Sequence, residues 1–390
     1  RTCVQAGLNR LAAQLAQRRR NALYRKPRLT AGVQQPELLL DGRPMLSFCS
    51  NDYLGLAADP RVAKAFKQGV DDYGSGSGAA HLVTGHSAAH QALEEELAEF
   101  TGRDRALLFS SGYMANLGVV CGLLGRGDSV LQDRLNHASL IDGGRLSGAR
   151  FQRYPHLNTE AAQERLQNAR GEKLLATDGV FSMDGDVADL PALARICNRE
   201  KAWLMVDDAH GLGVLGARGG GSLEHYSLDQ RQAPILMGTL GKALGTAGAF
   251  VAGPGVLIET LIQQARTYIY TTALPAAVAE ATRTSLRLAE LEVWRRERLQ
   301  ELVHAFRTGV QQMDFALTDS ATPIQPIIAG SSETALDWSK QLEAQGILVA
   351  PIRPPTVPEG TARLRITFSA SHGEHHLRRL LDALAGLRKG

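Results

Sequence analysis

Short apolar runs ending in polar residues recur through the middle of the chain. They lie at residues 106–109, 129–132, 173–177, 203–206, 235–237 and 249–252. Each is too short for a helix and is bounded by glycine, proline or charged positions, the pattern of strands buried on both faces. Helical patterns sit among them, at residues 90–100 and in the segment opened by Ser111-Gly-Tyr-Met-Ala-Asn116. This alternation predicts an α/β fold: a mostly parallel central sheet with helices on both faces.

The two ends read differently. Residues 4–24 predict a helix with Leu8, Leu11, Leu15 and Leu23 loosely on one face. Residues 38–47 predict a hairpin turning at Asp41-Gly42, a helix follows Pro60, and Tyr73-Gly-Ser-Gly-Ser-Gly78 is a loop that needs a flexible backbone. After Pro275 a long helical stretch runs to about Gln312, followed by strands at residues 324–328, 347–350 and 364–368. The expected organisation is an N-terminal helical arm (1–48), a large domain (49–275) and a smaller C-terminal α+β domain (276–390).

Composition narrows the class without naming a chemistry. The 390 residues suffice for two or three units, and 44% hydrophobic with 21% charged residues is ordinary for a globular protein. A net charge of +3 implies no global attraction to nucleic acid or membrane. There is no apolar run long enough to span a membrane, and the first residues lack the apolar core of a signal peptide. Cys3, Cys49, Cys121 and Cys197 are far apart, which argues against zinc or a disulfide framework and fits a reducing cytoplasm; no metal site is expected. Arg18, Arg19, Arg20, Arg25, Lys26 and Arg28 make the arm locally basic. Most should be a solvated face, with one or two meeting an anionic substrate.

Two of the apolar runs deliver reactive groups. Residues 203–206 lead into Asp207 and His210; residues 235–237 lead into Thr239 and Lys242. Ligands collect beyond the carboxyl ends of strands in open α/β sheets, so these groups should share a crevice. A lysine there can form a Schiff base with a carbonyl cofactor, and an aspartate can hold a protonated pyridine nitrogen. An exposed loop lysine and a strand-end cap fit the same spacing. Ser110-Ser-Gly-Tyr113 stands where a helix start would attract phosphate, or where a serine simply caps a helix. His137 suits stacking on a flat ring or capping, and Ser182 suits a bond to a cofactor oxygen or a turn cap. Arg363 and Arg365 share one strand face, one expected as a solvated edge charge and one as a fork for a substrate carboxylate. Gly211-Leu-Gly-Val-Leu-Gly216 spells a dinucleotide fingerprint, but Gly219-Gly-Gly221 should prevent the helix it requires.

Taken together, Ser50-Asn-Asp-Tyr-Leu-Gly55, Phe181-Ser-Met-Asp-Gly-Asp186, Val206-Asp-Asp-Ala-His-Gly211 and Thr239-Leu-Gly-Lys-Ala-Leu-Gly-Thr-Ala-Gly248 resemble the α-oxoamine synthase family of fold-type I pyridoxal-phosphate enzymes. The resemblance implies pyridoxal 5'-phosphate as cofactor. It implies Lys242 as Schiff-base lysine and proton shuttle, Asp207 as partner of the pyridinium nitrogen, and His137 stacked on the ring. Ser182 and His210 would flank the phenolic oxygen. Gly112, Tyr113 and Thr239 would contact the cofactor or its phosphate, and Thr271 and Thr272 would do so from a partner subunit, which implies a homodimer with shared sites. Arg25, Asn51, Thr356 and Arg365 match substrate-side positions. The segment Ile352-Arg-Pro-Pro-Thr-Val-Pro358 points within the family to decarboxylative condensation of L-alanine with a pimeloyl thioester, carried by coenzyme A or acyl carrier protein, in biotin biosynthesis. The alternatives are a glycine C-acetyltransferase and, from a different class, a non-catalytic nucleotide-binding or scaffold protein.

Overall fold

The computed structural model describes residues 3–21 and 23–387, with backbone alone at Cys3. Helix α1 (Cys3–Arg20) leads to β1 (Thr30–Ala31), β2 (Glu37–Leu40) and β3 (Arg43–Ser47). β2 and β3 form the expected hairpin, and its corner has positive φ at both Asp41 (51°) and Gly42 (76°), the backbone a tight two-residue turn requires. α1 stops at Arg20, and Leu8, Leu11, Leu15 and Leu23 are all exposed, so the described residues do not cover this apolar face.

Helix α2 (Pro60–Tyr73) starts with proline in its first turn and is capped by Asp59. A π-helical turn over residues 81–85 precedes α3 (Ala88–Thr101). The alternating region then runs β4 (Arg105–Phe109), α4 (Gly112–Leu123), β5 (Ser129–Asp133), α5 (Ala138–Leu146), β6 (Arg150–Tyr154), α6 (Thr159–Gln167), β7 (Lys173–Asp178), α7 (Leu190–Arg199) and β8 (Trp203–Asp207). It continues through α8 (Ser222–His225), β9 (Ile235–Thr239), β10 (Ala249–Gly253), α9 (Gly255–Gln264) and α10 (Arg266–Ile269).

These strands make one seven-stranded sheet in the order β4-β10-β9-β8-β7-β5-β6. All neighbours are parallel except β10, which runs antiparallel to both β4 and β9. One face packs Leu107, Met205 and Met237 against α4 and α9; the other packs Leu175, Leu204 and Val206 against α6 and α7. Burial on both faces is why these strands read as continuous apolar runs. Residues 211–221 form turns rather than a helix, so the dinucleotide-like letters have no dinucleotide-binding geometry.

The C-terminal part comprises α11 (Ala276–Leu291), α12 (Trp294–Gln311), β11 (Ala316–Leu317), β12 (Ile324–Gly330), α13 (Ser332–Ala344), β13 (Ile347–Leu348), β14 (Ala350–Ile352), β15 (Ala362–Thr367) and α14 (Glu374–Ala385). A second sheet has the order β11-β12-β15-β14, all antiparallel. A third, β1-β2-β3-β13, ties the arm's hairpin to this part through a parallel pairing of β3 with β13. Cys49, Cys121 and Cys197 are free thiols, and the side chain of Cys3 lies outside the described residues. Among the described residues no helix is long and apolar enough to cross a membrane.

Candidate active site

Strands β7, β8 and β9 end side by side at Asp178, Asp207 and Thr239, with Asp178 and Asp207 in direct register. The loops after β4 and β5 open α4 and α5 against the same edge. Between them lies a cavity of about 190 Å³. Lys242, Asp207, His210 and Thr239 all line it, as do Gly112, Tyr113, His137 and Ser182. The acid, imidazole, hydroxyl and amine expected from two separate apolar runs therefore share one chamber.

A hydrogen-bonded chain leads away from the amine. Lys242 Nζ donates to His210 Nε2 at 2.8 Å, and His210 Nδ1 lies 2.7 Å from the Tyr53 hydroxyl. Tyr53 donates to Asn51 Oδ1 at 3.2 Å, which also accepts from both terminal nitrogens of Arg365 at 3.3 Å. Burial, with the charge of Lys242 adding to it, holds the His210 imidazole well below its ordinary pKa, so it is neutral and accepts from the amine. Burial also brings Lys242 down to about 8, against the opposing charge of Asp207. A tenth or so of such an amine is unprotonated at neutral pH, which suits a nucleophile and base.

The opposite wall is acidic. Asp207 accepts from the Ala209 N–H at 3.1 Å and from Asn116 Nδ2 at 2.7 Å. Asn116 Nδ2 also donates to Ser139 Oγ at 2.9 Å, and that hydroxyl lies 2.7 Å from His137 Nδ1. His137 Nδ1 further accepts the Ser139 N–H, capping α5, so its proton belongs on Nε2. Desolvation lowers the His137 pKa and keeps the ring neutral. Burial, reinforced by the neighbouring charge of Asp207, pushes the Asp178 carboxyl well above its ordinary pKa.

These contacts test whether a pyridine-type cofactor fits. Asp207 is 4% exposed yet meets only neutral donors and no ion-pair partner among the described residues. Asn116 Oδ1 is buried without a partner. A buried carboxylate in that state calls for a cation at the cavity wall, and a ring N–H⁺ supplies one. An amine at the other side and the start of α4 beside it complete a donor set for a phosphorylated aldehyde. Ser111 accepts from the Met114 N–H and caps α4, so that serine serves the helix end, while Gly112 brings backbone to the cavity.

Several expected residues lie elsewhere. Arg25 and Thr356 line a separate cavity of about 910 Å³ between the arm and the loop after β14. Thr271 and Thr272 are outside the Lys242 cavity; Thr272 bridges to Ala80 and accepts from Ser110 Oγ at 3.2 Å. Arg365 reaches the site indirectly, donating to the Ser182 carbonyl at 2.5 Å as well as to Asn51. The expectation that one strand arginine would be a solvated edge charge is overturned. β15 is an inner strand, Arg363 is 3% exposed and Arg365 7%, and Arg363 pairs with Asp184 at 2.6 Å. Sequence reasoning missed Asn116, Ser139, Asp178 and the role of Tyr53. Asp178 ends an apolar run as Asp207 does, a signal that was there to be used.

Comparisons with known proteins show the family and the fold. Residues 43–384 match the family model for aminotransferases of class I and II. The chain is 61% identical over 382 residues to the 8-amino-7-oxononanoate synthase of Thioalkalivibrio sulfidiphilus, covering 97% of both chains. It is 60% identical over 375 residues to the enzyme of that name from Methylococcus capsulatus, covering 96% of this chain and 97% of that one. Among solved structures, a serine palmitoyltransferase from S. paucimobilis with a bound PLP–myriocin aldimine superposes with a TM-score of 0.92 at 30% identity, covering 99% of this chain and 98% of that one. An 8-amino-7-oxononanoate synthase from Francisella tularensis superposes with a TM-score of 0.78 at 33% identity, covering 87% of this chain and 97% of that one.

Proposed function

The chain belongs to the class I and II aminotransferase family, and from that premise we propose that it condenses L-alanine with a pimeloyl thioester, releasing CO2 and forming 8-amino-7-oxononanoate for biotin synthesis. Its cofactor is pyridoxal 5'-phosphate. When bound, this group supplies a carbonyl for an amine and a sink for the electrons of a carbanion. The observation that carries the proposal is the single cavity shared by Lys242 and the unpaired Asp207.

The chain's own residues divide the work. Lys242 would hold the cofactor through its carbonyl group, and its ε-amine, with its pKa near 8, is the base placed to remove and return the proton at the substrate Cα. Asp207, fixed in place by Asn116 and the Ala209 amide, would hold the positive ring N–H. His210 and Ser182 would hold the phenolic oxygen, and Gly112, Tyr113 and Thr239 would hold the phosphate near the start of α4, where free backbone N–H groups favour an anion. His137 would pack against the ring, and its Nε2–H is free to donate to the thioester carbonyl and stabilise the charge that develops on its oxygen.

Arg365 takes the alanine carboxylate, backed by Asn51. Arg25 and Thr356 face the acyl donor across the second cavity. Coenzyme A and acyl carrier protein are the candidate carriers. Thr271 and Thr272 serve the phosphate of a second subunit, so the working form is a homodimer with shared sites, built from an arm (1–48), a large domain (49–275) and a small domain (276–390).

The test is a product assay by mass, pairing alanine or glycine with pimeloyl or acetyl thioesters. Alanine with the pimeloyl donor should give 8-amino-7-oxononanoate and outpace the other pairs. Preference for glycine with acetyl-CoA would replace this proposal with a glycine C-acetyltransferase.

A further inference from the structure

Away from the Lys242 cavity, three imidazoles converge where the π-helical turn meets α3. His81 and His90 are buried, and His86 is half-buried. Their ring centres lie 5.1 Å (His81–His86), 5.1 Å (His81–His90) and 5.7 Å (His86–His90) apart. One ligand nitrogen from each falls within 4.8 Å of the others. We propose that His81, His86 and His90 form a binding site for a divalent transition metal ion, with zinc the best match.

The spacing is what tetrahedral coordination needs. With zinc–nitrogen bonds of about 2.0–2.1 Å, ring centres stand about 3.2 Å from the metal and about 5.2 Å from one another. The outer hydrogen bonds point the same way. His90 Nε2 lies 2.7 Å from the Leu274 carbonyl, so it carries the proton and leaves Nδ1 with its lone pair. His86 Nε2 faces Gln91 Oε1 at 3.3 Å, which likewise leaves Nδ1 free to ligate. His81 Nδ1 is already 2.8 Å from His86 Nδ1. The ion would replace that contact and the Ser87 bond to His90 Nδ1.

The half-buried edge of His86 leaves a way in, and three ligands leave a fourth position for water. The expectation of no metal came from cysteine spacing; the pattern His81-x4-His86-x3-His90 did not enter it. Because Ala80 bridges Thr272 and His90 holds Leu274, the ion would pin residues 80–90 to residues 272–274, a structural role rather than a catalytic one.

The experiment uses tag-free, cofactor-loaded protein dialysed against chelator. Zn²⁺ is titrated by calorimetry and Co²⁺ by visible absorption, with thermal melting in parallel. We expect one equivalent bound per chain with Kd below about 1 μM, visible bands from tetrahedral cobalt, and a metal-dependent rise in Tm. His86→Ala, at a half-buried position chosen to spare the fold, should weaken binding at least 100-fold and abolish the Tm rise. His375→Ala, in the other histidine group near Glu37, should leave binding unchanged. Absence of stoichiometric binding in the wild type, or undiminished binding in both His86→Ala and His81→Ala, would overturn the proposal.

Discussion

The pKa of Lys242 offers the sharpest test of the cavity's electrostatics. An ordinary lysine titrates near 10.5; burial brings Lys242 to about 8. At pH 7 that difference makes the neutral amine roughly 300 times more abundant than on a surface lysine. The assay is reductive methylation of cofactor-free protein with limiting formaldehyde, read at the Lys242 peptide by mass spectrometry from pH 6 to 11. Lys242 should react first, with a midpoint near 8. Asp207 opposes the lowering, so Asp207→Asn should move the midpoint further down. Linkage gives the stability sign. Because the folded pKa lies below the unfolded one, the unfolded state binds more protons between pH 8 and 10.5, so this group's contribution to stability rises with pH across that window, by up to about 3 kcal/mol. A midpoint near 10.5, or an upward move in Asp207→Asn, would refute the reasoning.

Three further outcomes follow from named contacts. Asp207→Asn should keep cofactor, seen by absorbance, while kcat falls by about 100-fold or more; a near-normal rate would remove its role at the ring nitrogen. Arg25→Ala should raise the thioester KM at low ionic strength, with the difference fading as salt screens it; an unchanged KM would end the link to an anionic carrier. His156 lies between Asp133 at 3.0 Å and Asp186 at 2.8 Å. Burial works against its charge, but the two carboxylates raise its pKa to about 10. Its stabilisation is full below about pH 6.5 and is lost as pH rises through about 10, so His156→Gln should cost about 2–4 kcal/mol in denaturant melts at pH 6 and much less near pH 10.5.

The inner strands were legible because burial on both faces leaves an unbroken apolar signature, as in Trp203-Leu-Met-Val206. β6 was not, because Arg150-Phe-Gln-Arg-Tyr154 lies at the sheet edge and keeps polar side chains. The helical stretch after Pro275 was read as one and is two, interrupted at Glu292 and Val293 without glycine or proline to mark the break. One of the two β15 arginines was read as a solvated charge because the partner of Arg363, Asp184, lies 179 positions earlier. Separation along the chain, 157 positions between Tyr53 and His210, also hid the Lys242–His210–Tyr53 chain, although all three residues stood in segments already singled out. Lys242 and Asp207 were legible because Asp207 ends β8 and Lys242 follows β9 within a few residues, and neighbouring parallel strands bring such ends together.

The central claim is that Lys242 is the attachment point for pyridoxal phosphate, opposite Asp207. Cofactor-loaded protein reduced with borohydride and mapped by peptide mass spectrometry tests it directly. A single phosphopyridoxyl group on the Lys242 peptide, with Lys242→Ala giving a colourless, inactive protein that carries none, is the predicted result. A group on any other lysine, or full activity in Lys242→Ala, would contradict it.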